Sequence, residues 1–144
     1  MSGATSATKR AKSRCTVAMS RFDQMRSEMA AGQFLDVSRS TDQDRVAALK
    51  SGSYTARGPV LIGAALAGAG PAAEEPLRSY ADSVGAAFQL RDDVLDGDAP
   101  PDAAAEVGRR LEQAQRSLDG APLDATAVEA LRELAGLLRL AGAP

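Results

Sequence analysis

The chain has 144 residues, with 17 Lys+Arg against 19 Asp+Glu, a formal net charge of -2, one cysteine and no histidine. The near-neutral balance leaves no nucleic-acid footprint. The cysteine and histidine counts exclude disulfides within the chain, a zinc site of the usual kind, and Ser-His or Cys-His catalysis.

Apolar residues make up 44% and aromatics 3%. The apolar set is mostly Ala and Leu, without long β-branched runs, and this predicts an all-α fold of ordinary domain size. Residues 1–14 are polar and basic, with Lys9, Arg10, Lys12 and Arg14 and no acid before Asp23. They read as a disordered start, leaving residues 15–144 as the folded domain. A transit peptide shares that composition, but the apolar core of a secretory signal is lacking. Cytoplasmic location is the expectation.

From about Cys15 a helix is predicted, with Val17, Phe22, Met25 and Met29 near one face, running toward Gly32. Gln33 and Asp36, in the stretch GQFLDV, share a face at i, i+3. Thr41 reads as the N-cap of the next helix, with Asp44 three residues on. That helix continues through Val46, Ala47, Leu49 and Lys50. SGSYTARGP then interrupts it with Gly52, Gly58 and Pro59, so a kinked or broken helix is expected there. Tyr54 and, further on, Phe88 read as core. Residues 60–69 resume as a small-residue helix. The longest apolar run, residues 59–73, is too short and too rich in Gly and Ala to span a bilayer.

Gly70-Pro71 reads as a turn and Pro76 as the first turn of a long helix. Along it Leu77, Tyr80, Ala81, Val84 and Phe88 recur at spacings of three and four. Continuing that period puts Gln89, Asp92, Asp93 and Asp96 at i, i+3, i+4 and i+7, on one face, before Gly97 stops the helix. Four carboxylates thus fall in the seven residues 92–98. Stacked like charges repel by a few tenths of a kcal/mol per pair. A cation on that face relieves the repulsion, and hard oxygen ligands suit Mg²⁺. A bare DDxxD is otherwise a solvated acidic helix end. After a connection at 98–102, one helix buries Val107, Leu111, Ala114 and Leu118. A last one, residues 124–140, buries Val128, Leu131, Leu134 and Leu138.

Three stretches in this order resemble the trans-isoprenyl diphosphate synthases, the polyprenyl synthetase family, of farnesyl or geranylgeranyl type. GQFLDV resembles that family's G-Q-x-L-D element. KSGSYTARGPVLIGAALAG resembles its K-[ST]-x-x-Y-T element and the helix after it. GAAFQLRDDVLDGD resembles its second aspartate-rich motif. The resemblance is close over residues 25–98 and looser beyond.

It implies an incomplete isoprenoid-synthase helical bundle and head-to-tail condensation of an allylic diphosphate with isopentenyl diphosphate, with Mg²⁺. Asp92, Asp93 and Asp96 would serve the metal, Lys50 and Ser51 the allylic diphosphate, and Gln89 the substrate or the cation. Gln33 and Asp36 would face the same cavity. The family's first aspartate-rich motif, its N-terminal basic element and the Gly-Lys segment after the second motif have no counterpart among these residues. Impaired condensation by the chain alone is therefore expected, together with self-association or pairing with a full-length synthase. Two alternatives stand beside this: a non-catalytic partner subunit, and an unrelated helical interaction domain.

Overall fold

In the computed structural model the described residues are 2–39, 41, 42, 45, 46 and 48–140. They contain helices and turns and no strand. The protein is all-α, and it divides into two compact units, Met1–Gly70 and Pro71–Pro144.

The first unit is built on α1, Ser2–Val37, a 36-residue helix. At 1.5 Å per residue it is about 54 Å long. The basic start is thus helical from Ser2, with residues 6–17 exposed. No Gly or Pro interrupts residues 4–31, and Ala, Arg, Lys and Met are strong helix formers. Arg14, itself exposed, reaches across to α3. It lies over Gly68, whose added Cβ would run into the guanidinium, and so places a cation at the C-terminal end of α3. Past Val37 the chain turns out of the helix through Arg39, which takes a positive φ of 54°.

Asp42, not Thr41, caps the next turn: its carboxylate accepts from the Arg45 N–H at 3.0 Å. Both residues are good caps, so sequence did not separate them. Asp44 and Ala47 lie outside the described residues.

The interruption takes a definite form. Residues Ala48–Arg57 make a π-helical segment, α2, which passes without a gap into the α-helix α3, Gly58–Ala67. Runs of π-helix are rare and concentrate at functional sites. Here the buried Ser53 hydroxyl donates to the Leu49 carbonyl at 2.6 Å, a back-bond of the kind that bends helices. Ser53 and Ala56 form the covered side of α2, so Tyr54 is turned away and stays 47% exposed.

Both α2 and α3 pack on α1. The covered line of α1 runs through Ala18, Met25 and Gly32. Val17, Phe22 and Met29, expected on the inner face, are exposed. Small residues win the inner line because they let the backbones approach: a Cβ on Gly58 would overlap the Met25 side chain. Glu28 pairs with Arg57 at 3.9 Å across the same contact.

The second unit is α4, Pro71–Asp96, with α5, Ala103–Ser117, and α6, Ala125–Gly136. Pro71 is the first helical residue, and Pro76 sits inside the helix at the cost of one backbone bond. The buried line of α4 is Ala73, Leu77, Tyr80, Ala81, Val84 and Ala87, with Phe88 half-buried. It packs mainly on α5, whose stripe of Val107, Leu111, Ala114 and, just past its end, Leu118 is buried as the spacing predicts.

Asp124 caps α6 through the Thr126 N–H at 2.9 Å. This helix is only lightly seated: Ala135 alone is fully buried, Val128, Leu131 and Leu138 are half-buried, and Leu134 is exposed. Its tethers are the Tyr80 hydroxyl, which donates to the Leu131 carbonyl at 2.6 Å, and the Arg132–Asp119 pair at 2.6 Å.

Candidate functional site

Two features of α4 place the acidic motif. Its upstream turns are fixed by burial of Leu77, Tyr80, Val84 and Ala87, which sets the phase of every later residue. Its end is fixed by Gly97, with φ +82°. There the Gly97 N–H bonds the Val94 carbonyl at 3.3 Å and the Asp98 N–H bonds the Asp93 carbonyl at 3.0 Å. That pair of bonds is a Schellman stop, and glycine supplies the left-handed residue it needs. The helix thus closes immediately after Asp96.

With about 100° per residue, Gln89, Asp92 and Asp96 fall within one stripe about 60° wide, while Asp93 lies about 100° round from Asp92. The stripe borders the buried line. Gly85 on it is buried, Gln89 and Asp92 are half-buried, and Asp96 and Asp93 are exposed. Asp92 faces the Arg91 guanidinium at 3.8 Å with 44% of its side chain exposed. Among the described residues no three acidic, Cys or His side chains converge as a metal cage. The donor set fits a different mode. Mg²⁺ keeps several waters and is commonly held by one or two carboxylates plus substrate phosphates. Asp92 and Asp96 present two carboxylates to the open side of the helix in that manner.

The other expected residues lie in the first unit. Gln33 is exposed and Asp36 half-buried in the last turn of α1. Lys50 and Ser51 lie on the π-helical α2; their side chains fall outside what the structure describes. The K-S-G-S-Y-T stretch therefore coincides with the widened helix, and α2 packs against α1.

Away from these residues, α5 carries a charged face. Arg109 and Arg110 each bond Glu106 at 2.7 Å, and those hydrogen bonds hold its carboxyl below the usual carboxylate range.

The profile of the polyprenyl synthetase family matches residues 2–118, most of the chain. The protein belongs to the polyprenyl synthetase family. No curated protein and no solved structure matches the chain. The match begins inside the basic part of α1 and ends with α5. It thus takes in the N-terminal segment that composition alone set aside. The family is one of prenyltransferases that act in isoprenoid chain elongation. Among the chain's described residues no helix is long and apolar enough to cross a membrane.

Proposed function

We propose that the chain binds an allylic diphosphate at the acidic end of α4, in the head-to-tail condensation with isopentenyl diphosphate. The observation that carries this is the acidic stripe at the end of α4, with Gln89 one turn ahead of it, in a chain that matches the family over 2–118. Asp92 and Asp96 would hold Mg²⁺, with Asp93 adding negative charge beside them. When bound, the metal would balance charge developing on the departing diphosphate.

The chain's own residues do the rest. Lys50 and Ser51 on α2 are proposed, from the family motif they match, as residues that serve the allylic diphosphate. Gln89 turns its amide to the substrate, a turn before Asp92. Phe88, half-buried one residue before Gln89, would keep the neighbourhood apolar, so that water does not quench an allylic cation. Gln33 and Asp36, at the end of α1, are proposed as further substrate-binding residues. In this account the substrates are of farnesyl to geranylgeranyl class.

A second reading is favoured by α1. Met19, Phe34 and Val37 on it are 58%, 70% and 73% exposed. A helix with that much apolar surface suits a subunit that docks on another copy or on a full-length synthase. The test is incubation with Mg²⁺, an allylic diphosphate and isopentenyl diphosphate, with product analysis, for the chain alone and mixed with a full-length synthase. One acidic motif leaves charge on the leaving group unbalanced, so the chain alone should show little or no condensation. Ordinary turnover by the chain alone would refute the need for a second acidic helix. A changed rate or product length in the mixture would favour the subunit reading.

A further inference from the structure

Arg91 stands immediately before the Asp92-Asp93 pair, and its side chain is only 29% exposed. Stepping along α4 at about 100° per residue, position 91 falls on the line of Leu77, Tyr80, Val84 and Ala87, not on the acidic stripe. That line is the buried one. The aliphatic stem follows the core face, and the guanidinium bends out toward the acids. Its Nη1 lies 3.8 Å from Asp92 Oδ1, an ion pair too long for a hydrogen bond. Its Nε is buried and has no hydrogen-bond partner. Buried polar groups are nearly always partnered, so this orphan calls for a reason. Packing, not hydrogen bonding, holds the guanidinium in place, beside one of the two carboxylates proposed to hold the metal.

We infer that Arg91 is a positioning residue: it balances Asp92 in the free protein and sets how tightly the acidic stripe takes a divalent cation. The inference rests on the reading of that stripe as a metal–diphosphate face. A hydrated cation arriving alone must share Asp92 with a fixed positive charge, and like charges so close oppose each other. A cation arriving with a diphosphate brings negative charge of its own, and the guanidinium then gains phosphate oxygens to face. Arg91 thereby biases the stripe against the free cation and toward the cation–diphosphate pair.

The test is Mn²⁺ titration, read by electron paramagnetic resonance, on the 144-residue chain. It compares wild type, Arg91→Gln, Arg91→Lys and Asp92→Asn, each with and without inorganic pyrophosphate, with helix content followed by circular dichroism. Arg91→Gln should bind free Mn²⁺ about twofold to fivefold more tightly, the scale of a partly exposed ion pair. Arg91→Lys should return to the wild-type value, and pyrophosphate should erase the advantage of the glutamine variant. A purely structural role would change helix content and leave this pattern absent. An Arg91→Gln chain that binds free Mn²⁺ no more tightly than wild type, or that keeps its advantage with pyrophosphate, overturns the role of Arg91. In that case Asp92→Asn still lowering Mn²⁺ binding would leave the proposed function standing. No Mn²⁺ binding by wild type or by either Arg91 variant overturns both.

Discussion

Gly58→Ala tests the packing that carries the K-S-G-S-Y-T segment. Gly58 is the first residue of α3 and the joint with the π-helical α2. Its φ is not positive, so the backbone admits alanine, and helix propensity alone would favour the change by about 1 kcal/mol. Space opposes it. The new Cβ would overlap the Met25 side chain and stand 2.7 Å from the Ser53 carbonyl oxygen. Overpacking of this kind costs about 1–3 kcal/mol. The methionine can move, but the Ser53 carbonyl belongs to the backbone of α2 and moves only with it. A net loss of up to about 2 kcal/mol is expected once the propensity gain is set against the clash.

The assay is urea unfolding followed by far-UV circular dichroism, with Gly63→Ala as control. Nothing lies within 4 Å of a Cβ at Gly63, so that variant should gain about 0.5–1 kcal/mol. Adding Met25→Ala to Gly58→Ala should recover part of the loss, giving a coupling of about 1 kcal/mol. Stabilisation by Gly58→Ala, or strict additivity with Met25→Ala, would refute the close contact of α1 with the joint.

Three further outcomes are expected. Gly97→Ala forces alanine into a left-handed residue at φ +82°, which should cost about 1–2 kcal/mol in unfolding experiments. Unchanged stability would mean that the Schellman stop does not fix the end of α4. Leu111→Ala opens a cavity where a side chain is 1% exposed, and the second unit should lose about 2–5 kcal/mol in the same assay. Tyr80 is fully buried, and burial pushes its hydroxyl from 10.0 up to about 12. The folded state therefore keeps a proton that the unfolded state releases, and stability should fall as pH rises from 10.0 to about 12. Tyr80→Phe should abolish that slope and, through the lost bond to Leu131, cost about 1 kcal/mol at neutral pH; a slope that survives would contradict the assignment.

Much of the second unit was legible as sequence because its signals agree with each other. The 4-3-4 spacing of Val107, Leu111, Ala114 and Leu118 and the turn at Gly120 led to elements the structure contains. The stripe of Gln89, Asp92 and Asp96 follows from the phase that Leu77 and Val84 set. Asp93 was grouped with them because i and i+4 count as neighbours, although it lies further round the helix. Leu134 was expected inside because it continues a leucine repeat, but α6 has too little partner surface to cover it.

The first unit was harder to read. Its inner line is Ala18, Met25 and Gly32, and small residues give a weak hydrophobic signal beside Val17, Phe22 and Met29. Polar composition predicts disorder in residues 1–14, a stretch where the structure begins α1 at Ser2. Gly52 and Gly58 signalled an interruption but not that it would be a widened helix. Arg91 carries no signal by residue type, because a cation among acids reads as solvating charge. The signal that could have found it is its phase, four residues past Ala87 and seven past Val84.

The most direct test of the metal–diphosphate face is calorimetry with an unreactive thiolo analogue of an allylic diphosphate. It compares the wild-type chain with Asp92→Asn, each with and without Mg²⁺. The account predicts weak binding by the wild type that strengthens with Mg²⁺, and an Asp92→Asn chain of unchanged helix content that has lost the Mg²⁺-dependent part. Binding that is indifferent to Mg²⁺, or that Asp92→Asn leaves intact, would contradict it.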